Sequence, residues 1–254
     1  MVERGLAESP EKAQALIMAG LVFAGSERIE KPGQRISEDF EIFIKEQMPY
    51  VSRAGLKLEE ALGSFKIVVE GKIASDLGAS TGGFTDCLLQ HGARKVYAVD
   101  VDIRQLDRRL RDDSRVVCIE KNARYLRRAD FAEALDIVTT DLSFISICKV
   151  LPAIKEFIGE GYVLSLVKPQ FEVGKHQVGK KGIVKDPALH EEVLERITRE
   201  ADSMGFRLKA LIKSSIPGVK GNREFFVYWT REEVPLSPAQ QKRLIKEAVW
   251  DEKS

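Results

Sequence analysis

The strongest constraint on the fold is a regular alternation, beyond residue 70, of short apolar runs with longer amphipathic ones. The apolar runs are KIASDL, KVYAVDV, VVCIEK, LDIVTTDLSF, GYVLSLVK, FRLKALIK and EFFVYWT. Between them lie the helical patterns GGFTDCLLQHG, IRQLDRRLRDD, ISICKVLPAIKEFI and PALHEEVLERITREADSMG. Strands that alternate with helices form a parallel sheet covered on both faces, with right-handed crossovers. The pattern therefore predicts a doubly wound α/β domain.

The last two predicted strands are joined by SSIPGVKGNR, which contains no helical pattern. This connection is too short for a crossover, so we expect the final strand to run antiparallel to its neighbour. A doubly wound sheet with an antiparallel last strand is the layout of the class I methyltransferase fold, which is Rossmann-like. Nicotinamide-binding folds begin with the same elements, so pattern alone leaves both open.

We expect four segments along the chain. Residues 1–48 form a small α/β domain, in which Ser9 and Pro10 begin a helix and short strands follow. Residues 49–69 are a linker and a helix, with a domain boundary near 48–52. Residues 70–231 form the main domain, and 232–254 form a tail whose helix is capped by Ser237 and Pro238.

Composition excludes several classes of protein. The 254 residues are 44% hydrophobic and 31% charged, which is typical of a globular chain. No apolar window reaches the length of a membrane span, and the N-terminus does not resemble a secretory signal, so we expect a cytoplasmic protein. The three cysteines (87, 118, 148) and three histidines (91, 176, 190) do not cluster in sequence, so we expect no disulfide and no metal site, with the cysteines as small packing residues.

A glycine-rich segment, DLGASTGGF, follows the first strand of the main domain at 76–84. Such a turn lets the backbone approach a nucleoside-like ligand at the carboxyl end of the sheet. Ser80 stands where GxGxxG has its second glycine, and no Arg or Lys is near for a pyrophosphate. Asp100, at the end of the next strand, can accept hydrogen bonds from a ribose diol, and Asn122 follows the third strand, where the adenine edge is usually read. A dinucleotide and S-adenosylmethionine both remain possible at this point.

Two further polar residues follow neighbouring strands. Asp141 comes after the fourth strand and Lys168 after the fifth, so both should project into one cleft beside the cofactor. A carboxylate and an amine beside a cofactor loop indicate proton transfer or orientation of a substrate.

Five ordered segments resemble the successive signatures of the TlyA family, the hemolysin-like ribosomal RNA 2′-O-methyltransferases related to FtsJ. They are YVSRAGLKLEEAL, DLGASTGGFTDCLL, TTDLSFIS, LVKPQFEVG and GNREFFVYW, and the resemblance extends to about residue 231. It implies transfer of a methyl group from S-adenosylmethionine to the 2′-hydroxyl of a cytidine in ribosomal RNA. It also implies a catalytic tetrad of Lys57, Asp141, Lys168 and Glu224.

The same resemblance implies the cofactor contacts, which are Gly78, Ser80, Thr81, Gly82, Gly83, Phe84, Asp100, Asn122 and Asp141. A ribose hydroxyl becomes a good nucleophile only when a base takes its proton. Lys168 is our candidate base, for which its amine must be neutral; Lys57 favours that state, while Asp141 and Glu224 favour the ammonium. If the carboxylates dominate, Asp141 is the better candidate.

Residues 3–45 resemble the small RNA-binding domain shared by a small-subunit ribosomal protein and many pseudouridine synthases, through VERGLAES, ALIMAGLV and KPG. The chain opens inside the first helix of that domain, and AGSE replaces the usual turn. Residues 1–50 also hold nine acidic against six basic residues. We therefore expect a truncated domain with weakened RNA binding.

A lysine-rich segment begins at the candidate catalytic lysine. Residues 168–185 hold five lysines and one glutamate, a balance suited to a polyanion. The candidate RNA contacts are Lys175, Lys180, Lys181, Arg53 and Arg223, with ribosomal RNA or a ribosomal subunit as partner and no membrane. The sequence indicates no oligomeric state.

Parts of the sequence are compatible with two alternative functions. A nicotinamide-dependent oxidoreductase would use a similar loop and a distal aspartate, but the missing glycine and the four tetrad positions disfavour it. A non-catalytic RNA-binding or hemolysin-like protein is indicated only by the hemolysin label of the family.

Overall fold

The computed structural model of the protein describes residues 1–24, 27–36, 42–44, 48–174, 177–179, 182–231 and 236–250. By its internal contacts the chain divides into two compact units, Met1–Pro49 and Tyr50–Ser254. Each unit has its own sheet and its own apolar core.

In its described residues, the first unit contains one helix and a small antiparallel sheet. Helix α1 is Pro10–Met18, and the strands are β1 (Val22–Ala24), β2 (Glu27–Arg28) and β3 (Ile42–Ile44). The Ser9 side chain accepts the Lys12 N–H at 3.2 Å, which caps the helix as Ser9 and Pro10 predict. Strand β1 lies between the other two, and Val22, Ala24 and Ile29 form the buried core.

The second unit is built on a sheet that has seven strands within the described residues. They are β4 (Ile73–Leu77), β5 (Lys95–Asp100), β6 (Val116–Glu120), β7 (Ile137–Thr140), β8 (Tyr162–Val167), β9 (Arg207–Lys213) and β10 (Phe225–Thr230). Their order is β6-β5-β4-β7-β8-β10-β9. The five neighbouring strands β6, β5, β4, β7 and β8 are parallel, and β10 is antiparallel to both of its neighbours, β8 and β9. The predicted doubly wound sheet and its antiparallel last strand are confirmed.

Helices cover both faces of this sheet. They are α2 (Arg53–Phe65), α3 (Gly83–Gln90), α4 (Arg108–Arg111), α5 (Leu151–Phe157), α6 (Pro169–Glu172), α7 (Pro187–Ser203) and α8 (Pro238–Trp250). Residues of α2, α3 and α4 pack in one apolar cluster, and residues of α5, α7 and α8 pack in the other. A strand with helices on both sides is buried throughout, as all five residues of β4 are.

Two local expectations were wrong. The helix expected over 103–113 is a 3-10 turn, Ile103–Gln105, followed by the separate helix α4, because the Asp107 side chain accepts the Arg109 N–H at 2.8 Å and caps a new helix. Strand β7 ends at Thr140, so Asp141 follows the strand as expected. Cys118 is not a packing residue, since it lies exposed on β6.

The parallel strands determine where function can lie. The carboxyl ends of β4, β5, β6, β7 and β8 meet at one edge of the sheet, so the residues that follow them are neighbours in space. No helix of the described part of the chain is both long enough and apolar enough to span a membrane.

Candidate active site

The loop after β4 is shaped by two glycines with positive φ. Gly78 has φ 87° and lies so close to the strand neighbour that a Cβ there would be 2.8 Å from the Asp141 carbonyl oxygen. Gly82 has φ 99°, and a Cβ there would be 2.3 Å from the side chain of Leu110. Only glycine fits both positions, so the loop turns tightly and leaves space above the sheet edge.

Two cavities open at this edge. The large cavity, of about 1070 Å³, is lined by Gly78, Ser80, Asp100, Asn122 and Asp141 among other residues. The small cavity, of about 220 Å³, is lined by Thr81, Gly83, Phe84, Asp141 and Lys168 among others. Both share Gly78, Ser80, Asp141 and Ser143. Gly82 lines neither cavity, and its part is in the turn itself.

The Asp100 carboxylate is held in a fixed orientation at the large cavity. Its Oδ2 accepts the Ser80 N–H at 2.9 Å and its Oδ1 accepts the Asp102 N–H at 3.0 Å. A carboxylate has further lone pairs, so it can still accept from the hydroxyls of a ribose. Asn122 uses its Oδ1 to accept the Arg124 N–H at 3.0 Å, which leaves its NH₂ group to donate to a ligand. These residues fit the nucleoside part of S-adenosylmethionine.

Asp141 and Lys168 form an ion pair between the two cavities. Their Oδ1 and Nζ atoms lie 2.7 Å apart, and Lys168 Nζ also donates to Ser143 Oγ at 3.2 Å. The predicted projection of these two residues into one cleft is what the structure shows. A carboxylate and an amine in contact beside a cofactor pocket can hold a hydroxyl and take its proton.

Lys57 and Glu224 form a second ion pair, which is more deeply buried. Lys57 Nζ donates to Glu224 Oε2 at 2.6 Å, and the two residues are 9% and 2% exposed. Lys57 belongs to α2, and Glu224 directly precedes β10. Neither lines the two cavities, but Ser52 and Ala54, one turn before Lys57, line the small cavity with Lys168. The four residues therefore form two ion pairs, Lys57–Glu224 and Asp141–Lys168.

The candidate RNA contacts are only partly covered by the structure. Lys175, Lys180 and Lys181 lie outside the described residues. Arg53 is exposed and donates to the Pro217 carbonyl oxygen at 3.3 Å, and Arg223 is exposed.

Sequence reasoning did not single out Asp76. This fully buried carboxyl belongs to the last residue but one of β4, lines the small cavity and accepts a hydrogen bond from the Thr85 hydroxyl at 2.8 Å. Burial, together with the nearby charge of Asp141, raises the pKa of Asp76 to about 7, although the hydrogen bond from Thr85 opposes the shift. Its place directly before the glycine-rich loop was the available signal.

Two aromatic side chains were also missed. Phe144 is 89% exposed with a left-handed φ of 64°, and its ring lies 4.8 Å from that of Phe171, centroid to centroid. Both line the large cavity. A large exposed aromatic in a strained backbone conformation is uncommon, and the position of Phe144 three residues after Asp141 was the only sequence signal.

A model of the FtsJ-like methyltransferase family matches residues 50–231. The chain belongs to this family. "Putative rRNA methyltransferase YqxC" of Bacillus subtilis (strain 168) is 46% identical over 257 residues, which cover 98% of this chain and 92% of that protein. "16S/23S rRNA (cytidine-2'-O)-methyltransferase TlyA" of Mycobacterium tuberculosis (strain ATCC 25618 / H37Rv) is 42% identical and covers 91% of this chain and 87% of its own length.

A solved structure, "Putative hemolysin from Streptococcus thermophilus", has 43% identity and a TM-score of 0.76, and covers 96% of this chain and 92% of that one. The resemblance to the TlyA family is confirmed. This methyltransferase uses S-adenosylmethionine, so the nicotinamide-dependent alternative is excluded.

Proposed function

We propose that this methyltransferase transfers the methyl group of S-adenosylmethionine to the 2′-hydroxyl of a cytidine in ribosomal RNA. The observation that carries the proposal is the Asp141–Lys168 ion pair, 2.7 Å between charged atoms, at the boundary of the two cavities. The name of the M. tuberculosis relative supports a cytidine 2′-hydroxyl of ribosomal RNA as the methyl acceptor. With ribosomal RNA as the substrate, we also propose that the protein acts in the cytoplasm.

The large cavity would hold the cofactor. Asp100 would accept hydrogen bonds from the ribose hydroxyls of the cofactor, and the Asn122 amide would face its adenine edge. The loop 78–84 would pass along the rest of the cofactor. When bound, S-adenosylmethionine supplies a methyl group on a positively charged sulfur. The chain's own part is to bring the hydroxyl into line with that methyl group.

Lys168 and Asp141 would prepare the hydroxyl. We propose Lys168 as the base, with Asp141 orienting it, and Asp141 as the alternative base if Lys168 serves only as a donor. General-base assistance contributes a factor of about 10² to 10⁴ in rate. Lys168→Ala should therefore nearly abolish transfer and leave cofactor binding intact. A variant that keeps more than about a tenth of the wild-type rate would show that Lys168 is not the base.

The Lys57–Glu224 pair completes the proposed tetrad from beneath. Buried charges are tolerated only when paired, so Glu224 fixes the ammonium of Lys57 close to the small cavity. We propose that its field acts on the Asp141–Lys168 pair, since α2 lines that cavity one turn earlier.

The exposed Phe144 ring supports RNA as the acceptor. RNA is recognised largely through unpaired nucleotides whose bases stack on aromatic side chains. Phe144 and Phe171, at the wall of the large cavity, offer such a surface beside the ion pair. We further propose that residues 1–48 and the lysine-rich segment contact the RNA backbone. Replacing Lys175, Lys180 and Lys181 together should weaken binding and reduce its salt dependence, and an unchanged salt slope would exclude them from the interface.

Label transfer tests the function directly. The protein is incubated with methyl-labelled S-adenosylmethionine and either ribosomal subunits or free ribosomal RNA, and the label is mapped to base or ribose. Ribose 2′-O label that is lost in Lys168→Ala supports the proposal. Label on a base, or none from a protein that binds the cofactor, contradicts it.

A further inference from the structure

The Glu172 carboxylate, at the end of α6, is buried and fully engaged. Its side chain is 3% exposed, and its Oε1 accepts the Ile147 N–H at 2.8 Å. Arg196 of α7 donates to the Glu172 carbonyl oxygen at 2.8 Å and to Oε2 at 3.3 Å. A buried carboxylate is costly unless it is paired, so these contacts hold Glu172 in one place.

Glu172 joins the two segments that carry the proposed catalytic groups. One segment, 141–147, bears Asp141 and Phe144, and the other, 168–172, bears Lys168 and Phe171. They follow the neighbouring strands β7 and β8, whose paired residues end at Thr140 and Ser165. Beyond that point the sheet no longer fixes the distance between them.

Side-chain hydrogen bonds take over where the sheet ends. Lys168 Nζ donates to Ser143 Oγ near the cavities, and Glu172 accepts the Ile147 N–H at the far end of both segments. The first contact is made by a long, flexible lysine, whereas the second is made by a buried carboxylate held by Arg196. The second contact is therefore the more rigid of the two.

We propose that Glu172 is a positioning residue for methyl transfer, which sets the spacing of the Asp141–Lys168 pair and of the Phe144–Phe171 rings through its bond to Ile147. The inference rests on the proposed function. Glu172 also lines the large cavity, but both of its oxygens already have partners in the chain. Its effect is thus exerted through Lys168 and the 141–147 segment.

The test compares the single-turnover rate with cofactor affinity. Misplacement of reacting groups by about 1 Å can cost about 100-fold in rate. Glu172→Ala should therefore lower the single-turnover rate constant about 10- to 100-fold, while the Kd for S-adenosylmethionine, measured without RNA, changes less than about threefold. Glu172→Gln keeps an oxygen for the Ile147 N–H and should restore most of the rate.

Asp136→Ala is the matched control. Asp136 Oδ2 accepts the Ile73 N–H at 2.8 Å, a contact of the same kind at the opposite end of the sheet. This variant should lose stability but keep the single-turnover rate constant of the folded protein. A similar loss of rate in Asp136→Ala would show that the rate follows general stability, which would overturn the inference.

The remaining outcomes separate the inference from the proposed function. If wild type methylates RNA and Glu172→Ala is within about twofold of it, the inference fails and the function stands. If wild type transfers no methyl group to RNA, both fail. Should Glu172→Ala not fold, Ile147→Pro removes the donated N–H at the first position of a turn, where proline is tolerated, and also trims the buried Ile147 side chain. With Ile147→Val as its control, an unchanged rate in Ile147→Pro overturns the inference.

Discussion

The pKa of Asp76 makes a specific prediction about stability. The pKa of this fully buried carboxyl is about 7 in the folded chain, against an ordinary value of 3.8. The folded chain therefore holds more protons than the unfolded chain between about pH 4 and pH 7, and its free energy of unfolding falls as pH rises through that window. At about pH 7 this shift in pKa corresponds to a loss of about 4 kcal/mol in the free energy of unfolding.

Asp76→Asn removes this dependence, because the amide has nearly the same shape and does not ionise. At about pH 4.5 it should be close to wild type, and at about pH 8 it should be more stable by up to about 4 kcal/mol. The measurement is urea unfolding followed by circular dichroism at several pH values.

Asp113→Asn serves as the control. Hydrogen bonds from Arg115 lower the pKa of Asp113, so its titration lies below the tested window. Its stability profile should run parallel to that of wild type between about pH 5 and pH 8. If Asp76→Asn also runs parallel to wild type, Asp76 is ionised throughout and the reasoning is refuted.

Two further predictions concern the stability of the buried ion pair and of a close contact beside α2. Lys57→Met leaves Glu224 buried without its counter-charge, so the free energy of unfolding in urea should fall by about 3–5 kcal/mol, and a second change of Glu224 to Leu should recover most of it. A Lys57→Met variant as stable as wild type would contradict the Lys57–Glu224 pairing. Gly83→Ala places a methyl group 2.2 Å from Ser52 Oγ and should cost about 1–3 kcal/mol. Gly63 lies on the exposed side of α2, and a Cβ there meets nothing within 4 Å. Gly63→Ala should therefore stabilise the protein by about 0.5–1 kcal/mol. Equal melting temperatures for Gly83→Ala and Gly63→Ala would refute the close contact between residue 83 and Ser52.

The main fold and half of the candidate site follow from sequence pattern. Parallel strands bring their carboxyl ends to one edge, so Asp100, Asp141 and Lys168 could be placed together from their positions after strands alone. The short connection before the last strand was enough to give its antiparallel direction.

Other features depend on tertiary packing that no local pattern records. The partner of Lys57 lies 167 residues away in the chain, and only the strand order brings Glu224 beneath α2. Glu172 lies in a lysine-rich segment, where its burial against Arg196 is not expected from composition.

The position of β10 between β8 and β9 has a consequence for folding during synthesis. While the ribosome is still adding residues before Phe225, β8 has an open hydrogen-bonding edge and Lys57 has no counter-charge. The strand that pairs with β8 also brings Glu224 to Lys57, so the covering of this edge and the assembly of the buried ion pair depend on the same segment. A nascent chain thus cannot hold the complete charge arrangement until the residues up to Glu224 have emerged.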